Sequence, residues 1–281
     1  MQDKLVLITG GTSGIGFETA RALAEMGAHV IITARDEEKG HNNVEALKRY
    51  TGSDKVDYLV CDFADQQQVR ELAASYKEKH ARLDVLINNH GAAYFGRQTT
   101  TEGYEMTLAV NHLGYFLLTH LLLDTLKASA PARIVNVASN AHERANIDFN
   151  DIHLENEYAA MKAYGQSKLG NILFTYELSR RLEGSGVTVN CLHPGFVATN
   201  MGANNIPFFG FLFKLIFNIF VPVKSPEGAS TSIYLASSPE IEGTSGKYFV
   251  DERPAPSNRI SYNVDVARRL WDLSMEMTGL N

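Results

Sequence analysis

Within AYGQSKLGN, residues 163–171, a phenol and an ammonium stand four positions apart in a stretch without proline. On a helix this spacing puts Tyr164 and Lys168 on one face, one turn apart. A solvated helix gains nothing from stacking a tyrosine on a lysine, whereas a site that moves a proton near neutral pH does. A free tyrosine titrates near pH 10, so bringing it close to 7 takes roughly 3 pKa units, or about 4 kcal/mol. One positive charge at about 4 Å supplies a similar amount at an effective dielectric near 20. Lys168 is expected to supply that charge, lower the Tyr164 pKa and make the phenol a general acid and base. The competing explanation is an incidental pair on a solvated face.

Such a pair needs elements to hold it. KLVLIT (4–9), HVIIT (29–33), VDYLV (56–60), LDVLIN (83–88), RIVNVAS (133–139), VTVNCLH (187–193) and the weaker GKYFV (246–250) read as strands. Helix-period segments fall around 15–26, 37–50, 66–79, 102–128 and 157–183. The strands are nearly continuous apolar runs, as befits strands buried on both faces, and their alternation with helices implies a parallel sheet. The expected fold is α/β: a single Rossmann-type doubly wound domain over residues 1–281, with a seven-stranded, mainly parallel sheet flanked by helices. No repeat, low-complexity tract or linker divides it.

The first strand runs into TGGTSGIGFETA, with Gly10, Gly14 and Gly16 ahead of a helical pattern. Glycines in that context let the chain turn tightly and approach a pyrophosphate, while the helix N-terminus offers N–H groups to the phosphates. A merely flexible turn is the alternative. The second strand ends ITARDEE, where Arg35 precedes Asp36. A guanidinium there clamps a 2′-phosphate, which points to NADP(H) rather than NAD(H); otherwise Asp36 is the ribose ligand and Arg35 a solvated cation. Glu37 and Glu38, at a helix start, are explained by the helix dipole.

Composition excludes other classes. The net charge is −6 and no Lys/Arg block occurs, so nucleic acid is not an expected partner. Cys61 and Cys191, the two cysteines, sit in apolar runs and read as inert core thiols in a reducing compartment. The histidines show no metal-ligand spacing, and no metal is expected. Met1 lies three residues from a strand-like run, from which a cytoplasmic chain without a leader is expected.

Taken together, TGGTSGIG (9–16), NNHG (88–91), Asn111, Ser139, YGQSK (164–168) and HPG (193–195) follow the order of the short-chain dehydrogenase/reductase family, which the chain resembles from about residue 4 to 250. Within it the chain is most similar to the retinol dehydrogenase branch, on the insert AHERANIDFNDI between Ser139 and Tyr164 and the stretch SKLGNILFTYELSRRLEGSGVTVNCLHPGFVAT. The resemblance implies an NADP-dependent oxidoreductase acting on a carbonyl or alcohol. It implies that Ser139 holds the substrate oxygen against Tyr164, that Asn111 positions a water behind Lys168, and that Lys168 also binds the nicotinamide ribose. Cofactor contacts are implied for Gly10, Thr12, Ser13, Gly14, Ile15, Gly16 and Arg35, for Asp62, Phe63, Asn89 and Gly91 around the adenosine, for Tyr164 and Lys168, and for Pro194, Gly195, Val197 and Thr199 around the nicotinamide. Asp65, rather than Asp62, is expected to cap the helix that follows. One departure stands out: the usual NNAG reads NNHG, so His90 replaces a small alanine.

IPFFGFLFKLIFNIFVPV (206–223) is apolar on most of its circumference if helical. It reads as a substrate lid at about 200–225 that favours a lipophilic substrate such as a retinal-like aldehyde, as a buried or interface helix, or as a peripheral membrane contact. The long apolar helices around 102–128 and 157–183 resemble the family's subunit-packing helices, so a homodimer is expected. Two other functions are compatible with this fold: a non-catalytic NADP-sensing protein, and a membrane-surface binding protein scaffolded by the nucleotide domain.

Overall fold

The computed structural model describes residues 1–195 and 225–280. Val197, Thr199 and the 206–223 segment lie outside them. In chain order the elements are β1 (Leu5–Ile8), α1 (Gly14–Glu25), β2 (His29–Ala34), α2 (Glu37–Thr51), β3 (Val56–Val60), α3 (Gln66–Lys79), β4 (Val85–Asn88), α4 (Met106–Ala128), β5 (Ala132–Val137), α5 (Ala160–Arg181), β6 (Val187–His193), α6 (Ser225–Ser237), β7 (Tyr248–Val250), β8 (Arg253–Pro254) and α7 (Val264–Thr278). They form one sheet in the order β3-β2-β1-β4-β5-β6-β7-β8, parallel throughout except for the last pair. The seven expected strands are present, and the two-residue β8 is an addition that pairs Val250 with Arg253.

Alternation along the strands builds a core on each face of the sheet. Leu7, Ile31, Leu86, Ile134 and Val189 pack with α3, α4 and α5, whereas Val6, Ile8, Val30, Ile32, Val85, Ile87 and Val135 pack with α1, α2 and α6. β1 pairs with β2 on one side and β4 on the other. The strand order therefore reverses between β1 and β4, and the loops leaving their carboxyl ends diverge into a crevice, the usual ligand position in open α/β sheets.

Helix boundaries follow their capping residues. Asp36 caps α2 by accepting from the Lys39 amide, and Glu37 and Glu38 occupy the first turn. Asp65 caps α3 through the Gln67 and Gln68 amides, as expected, while Asp62 accepts from the Ala64 amide before it. Glu105, buried, caps α4 with its carboxylate on the Thr107 and Leu108 amides. α7 begins at the Asn263 cap and stops at Gly279, whose φ of 59° is left-handed.

α4 is the one helix among the described residues long and apolar enough to cross a membrane, but 78% of its apolar window is buried inside the chain, as in a core helix. It packs against α3, and α5 packs against α7. Residues 107–119 of α4 and 165–178 of α5 are all buried. Within the chain, α3 and α7 thus cover part of the two helices from which a homodimer is expected. Cys61 and Cys191 are buried and free, and burial pushes both thiols up.

Candidate active site

The β1–α1 turn meets the demands of a phosphate cradle. Gly10 and Gly14 have φ of 69° and 56°, left-handed values that glycine adopts without strain. A Cβ on Gly16 would lie 2.4 Å from the Gly10 carbonyl oxygen, so the turn closes this tightly only around glycine. Ser13, exposed, is the N-cap of α1 but makes no side-chain cap hydrogen bond, which leaves the first amides of that helix to a ligand. The Gly10 amide is tied to Thr33 Oγ1 (2.9 Å), and the Asn89 amide group donates to the Thr9 and Gly10 carbonyls at 2.9 and 3.1 Å. Asn89 thus clamps the loop rather than pointing away from it. Thr12 lies half-buried in the turn, while Ile15 is buried and packs with Ala229 of α6.

Past β2, Arg35 is exposed and Asp36 is engaged elsewhere. The Asp36 carboxylate holds the Lys39 amide and Lys39 Nζ, each at 2.8 Å, and these contacts keep its carboxyl below the usual range. The carboxylate nearest the tip of β2 is therefore occupied as a helix cap. Phe63 is a core residue whose ring stacks on His90 at 3.6 Å, so any adenosine contact from it falls to its backbone.

Across the crevice, α5 presents Tyr164 and Lys168, as the four-residue spacing demands. Ser139, at the end of β5, faces the phenol and favours its ionised form, but burial dominates and pushes the Tyr164 pKa up to about 12. Lys168 is buried; its Nζ donates to the Val137 carbonyl (2.9 Å) and stands 5.7 Å from the centre of the Tyr164 ring. Burial pushes its pKa down to about 7. This corrects the expected electrostatics. Loss of water raises the phenol pKa and lowers that of the ammonium. Tyr164 accordingly holds its proton at neutral pH, the form that donates to a carbonyl oxygen.

Asn111 lies in a five-residue π-helical stretch of α4, Ala109–Leu113. Its Oδ1 accepts from the Ala92 amide at 2.8 Å, and its Nδ2 donates to the Ala92 carbonyl at 2.9 Å and to Ser167 Oγ at 3.0 Å. Ser167 donates to the Tyr164 carbonyl, so Asn111 braces the turn of α5 between Tyr164 and Lys168. A Cβ on Gly91 would be 3.4 Å from Lys168 Nζ and 3.5 Å from Asn111 Oδ1, which places that glycine against both. Pro194 and Gly195 follow β6 at the same end of the sheet, Gly195 with φ of 78°.

Several supporting residues escape a reading by spacing. Thr9 Oγ1 accepts the amides of Asn89 and His90 at 2.9 and 3.2 Å. His142 Nδ1 lies 2.6 Å from the Ser139 carbonyl, and His193 Nδ1 accepts from the Asn140 amide at 3.3 Å, so two imidazoles bracket Ser139. Asn88 and Asn136 pair across β4 and β5 at 2.8 Å and continue to Thr119 and Thr175, a buried polar ladder behind the site. The asparagines at strand ends are the only sequence cue to it. Among the described residues, no group of three or more His, Cys, Asp or Glu side chains could hold a metal.

Comparison with known proteins agrees with this geometry. The pattern of the short chain dehydrogenase family matches residues 4–207. Human retinol dehydrogenase 14 is 44% identical over 297 residues, spanning 100% of this chain and 88% of its own length. Human retinol dehydrogenase 13 is 45% identical over 284 residues, spanning 99% and 85%. Among solved structures, an uncharacterized protein from Mycobacterium paratuberculosis superposes with a TM-score of 0.79 at 30% identity, covering 99% of this chain and 94% of that one. A short chain dehydrogenase from Burkholderia cenocepacia in complex with NADP gives 0.69 at 27% identity, covering 88% and 96%. With the glycine turn at the β1–β4 crevice facing Ser139, Tyr164 and Lys168, these likenesses make the chain a member of the short-chain dehydrogenase/reductase family, in its retinol dehydrogenase-like branch.

Proposed function

We propose that this chain transfers a hydride between NADP(H), in preference to NAD(H), and a small lipophilic carbonyl or alcohol, with Tyr164 as the general acid and base. The observation that carries the reading is the facing of Ser139 and Tyr164 hydroxyls above a buried Lys168, across from the glycine turn. The bound nicotinamide supplies or accepts the hydride. The chain's part is to hold the substrate oxygen at Ser139, to deliver or remove its proton at the Tyr164 hydroxyl, and to keep Lys168 beside that phenol. Gly10, Gly14 and Gly16 with the α1 N-terminus would hold the pyrophosphate, Arg35 the 2′-phosphate, and Lys168 the nicotinamide ribose. Val197 and Thr199 are proposed nicotinamide contacts by the family likeness alone.

The lipophilic substrate is proposed from the segment 206–223 and from the relatives named for retinol. The same segment is the proposed route to a membrane surface for an otherwise cytoplasmic chain. Activity should rise with the apolar chain length of an aldehyde, by up to about 0.8 kcal/mol per buried methylene. The test is kcat/KM for a graded aldehyde series with NADPH and with NADH, in the wild type and in Arg35→Ala. NADPH should be favoured at least about tenfold, about 1.4 kcal/mol, in the wild type only. Equal use of both cofactors removes the role of Arg35, and a flat series removes the lipophilic pocket.

A further inference from the structure

His90 occupies the position of the NNHG turn at which the family's usual residue is alanine. The imidazole is 8% exposed, and both ring nitrogens have partners. Nε2 lies 2.7 Å from the Val110 carbonyl, which only accepts, so Nε2 carries the ring proton. Nδ1, 2.8 Å from Thr9 Oγ1, then accepts a hydrogen bond from the threonine hydroxyl. Burial favours this neutral form, pushing the pKa down to about 3. Phe63 stacks on one face of the ring and Tyr115 meets it edge-on, at 3.6 and 4.7 Å between centroids. Gly114 leaves the room: a Cβ there would come within 3.1 Å of His90 Nε2.

The Val110 carbonyl differs from an ordinary helix carbonyl. In a regular α-helix the Gly114 amide would close on it, but in the π-helical stretch that amide bonds to the Ala109 carbonyl instead. The histidine provides a donor where the wide turn has redirected one. The next residue is Asn111, which grips Ala92 and Ser167. Ala92 lies two residues beyond His90, so the histidine and the asparagine tie the same loop to the same turn of α4 from two sides.

We propose that His90 is a positioning residue that holds the wide turn of α4 through the Val110 carbonyl and thereby sets Asn111 against α5. The proposal rests on the reading of Tyr164 and Lys168 as the proton-transfer pair. A ring that only filled space would be replaceable by anything that folds; the positioning role depends on one atom, Nε2. Glutamine carries an amide nitrogen near the place of Nε2, asparagine reaches only the place of Nδ1, and alanine, the family's usual residue, removes both contacts without crowding the site.

The experiment measures kcat, aldehyde KM and the NADPH dissociation constant for His90→Gln, His90→Asn and His90→Ala, each alone and combined with Asn111→Ala, with Tyr164→Phe as control. The expected result is a kcat loss of about tenfold in the Asn and Ala variants, recovery to within about threefold in Gln, and NADPH affinity within about threefold throughout. In the Asn111→Ala background the His90 substitutions should cost nothing further, because both act through one group. The proposal is overturned if Ala matches the wild type, if Gln is as impaired as Ala, or if the His90 and Asn111 losses multiply. Should Asn fail to fold, the Ala–Gln contrast decides alone. An active Tyr164→Phe defeats the underlying reading, whereas an inactive Tyr164→Phe with wild-type His90→Ala defeats only the role of His90.

Discussion

Lys168 is a lysine placed where a lysine destabilises. Its pKa falls from 10.5, the ordinary value, to about 7 through burial. Between those values the unfolded chain binds a proton that the folded chain does not, so this residue makes stability rise with pH across that window. Below about 7 its penalty is fully present. Lys168→Met should therefore abolish turnover yet raise the melting temperature at pH 7, by roughly 2 to 4 °C for each kcal/mol recovered in a chain of this size. The gain should shrink as pH approaches 10. Scanning calorimetry of both proteins from pH 6 to 10 checks it, and a Met variant that melts lower at pH 7 contradicts it. Residue types and spacing singled out Tyr164 and Lys168, because chemistry constrains them, whereas Ser139 came from the family resemblance. The direction of the pKa shifts was hidden, because burial is a property of the assembled fold. His90 was visible as a departure, but its partner Val110 acts through a carbonyl that any residue would carry.

α7 shows what an element contributes beyond its own turns. Trp271, 8% exposed, meets Phe116, His120 and Phe174 with ring centroids at 5.1, 4.9 and 5.9 Å, and the Arg181 guanidinium covers it at 4.1 Å. A few residues on, Ser274 donates to the Leu270 carbonyl, and its Oγ lies 2.9 Å from Nε2 of His112, beside Asn111. Truncating a buried aromatic of this kind costs about 3 to 5 kcal/mol. Trp271→Ala should lower the unfolding free energy by that amount, and the urea midpoint with it, and expose the apolar face of α4 and α5, so that the variant self-associates more than the wild type. Denaturation followed by sedimentation measures both, and an unchanged midpoint refutes the packing role. The strands were legible as apolar runs, and α1 to α5 as periodic segments with caps such as Asp65. α6 and α7 were not foreseen, although Asn263 and Gly279 bracket α7 with ordinary start and stop residues. The two-residue β8 has no periodicity to read.

At the scale of the whole molecule, the reversal of strand order between β1 and β4 gathers the glycine turn, the NNHG turn, Ser139 and the α5 pair at one end of the sheet. A ligand that binds there stabilises the domain by mass action, by about 2.7 kcal/mol at one hundred times its dissociation constant. NADPH should thus raise the melting temperature more than NADH at equal concentration, and equal shifts would speak against the clamp at Arg35. The central claim is that Tyr164 transfers the proton. Tyr164→Phe retains the ring and removes only the hydroxyl, so single-turnover consumption of NADPH with a medium-chain aldehyde isolates that step. The account predicts a rate at least about 1,000-fold below wild type, about 4 kcal/mol of lost transition-state stabilisation, with NADPH affinity within about threefold. A phenylalanine variant that turns over within about tenfold of wild type would contradict it.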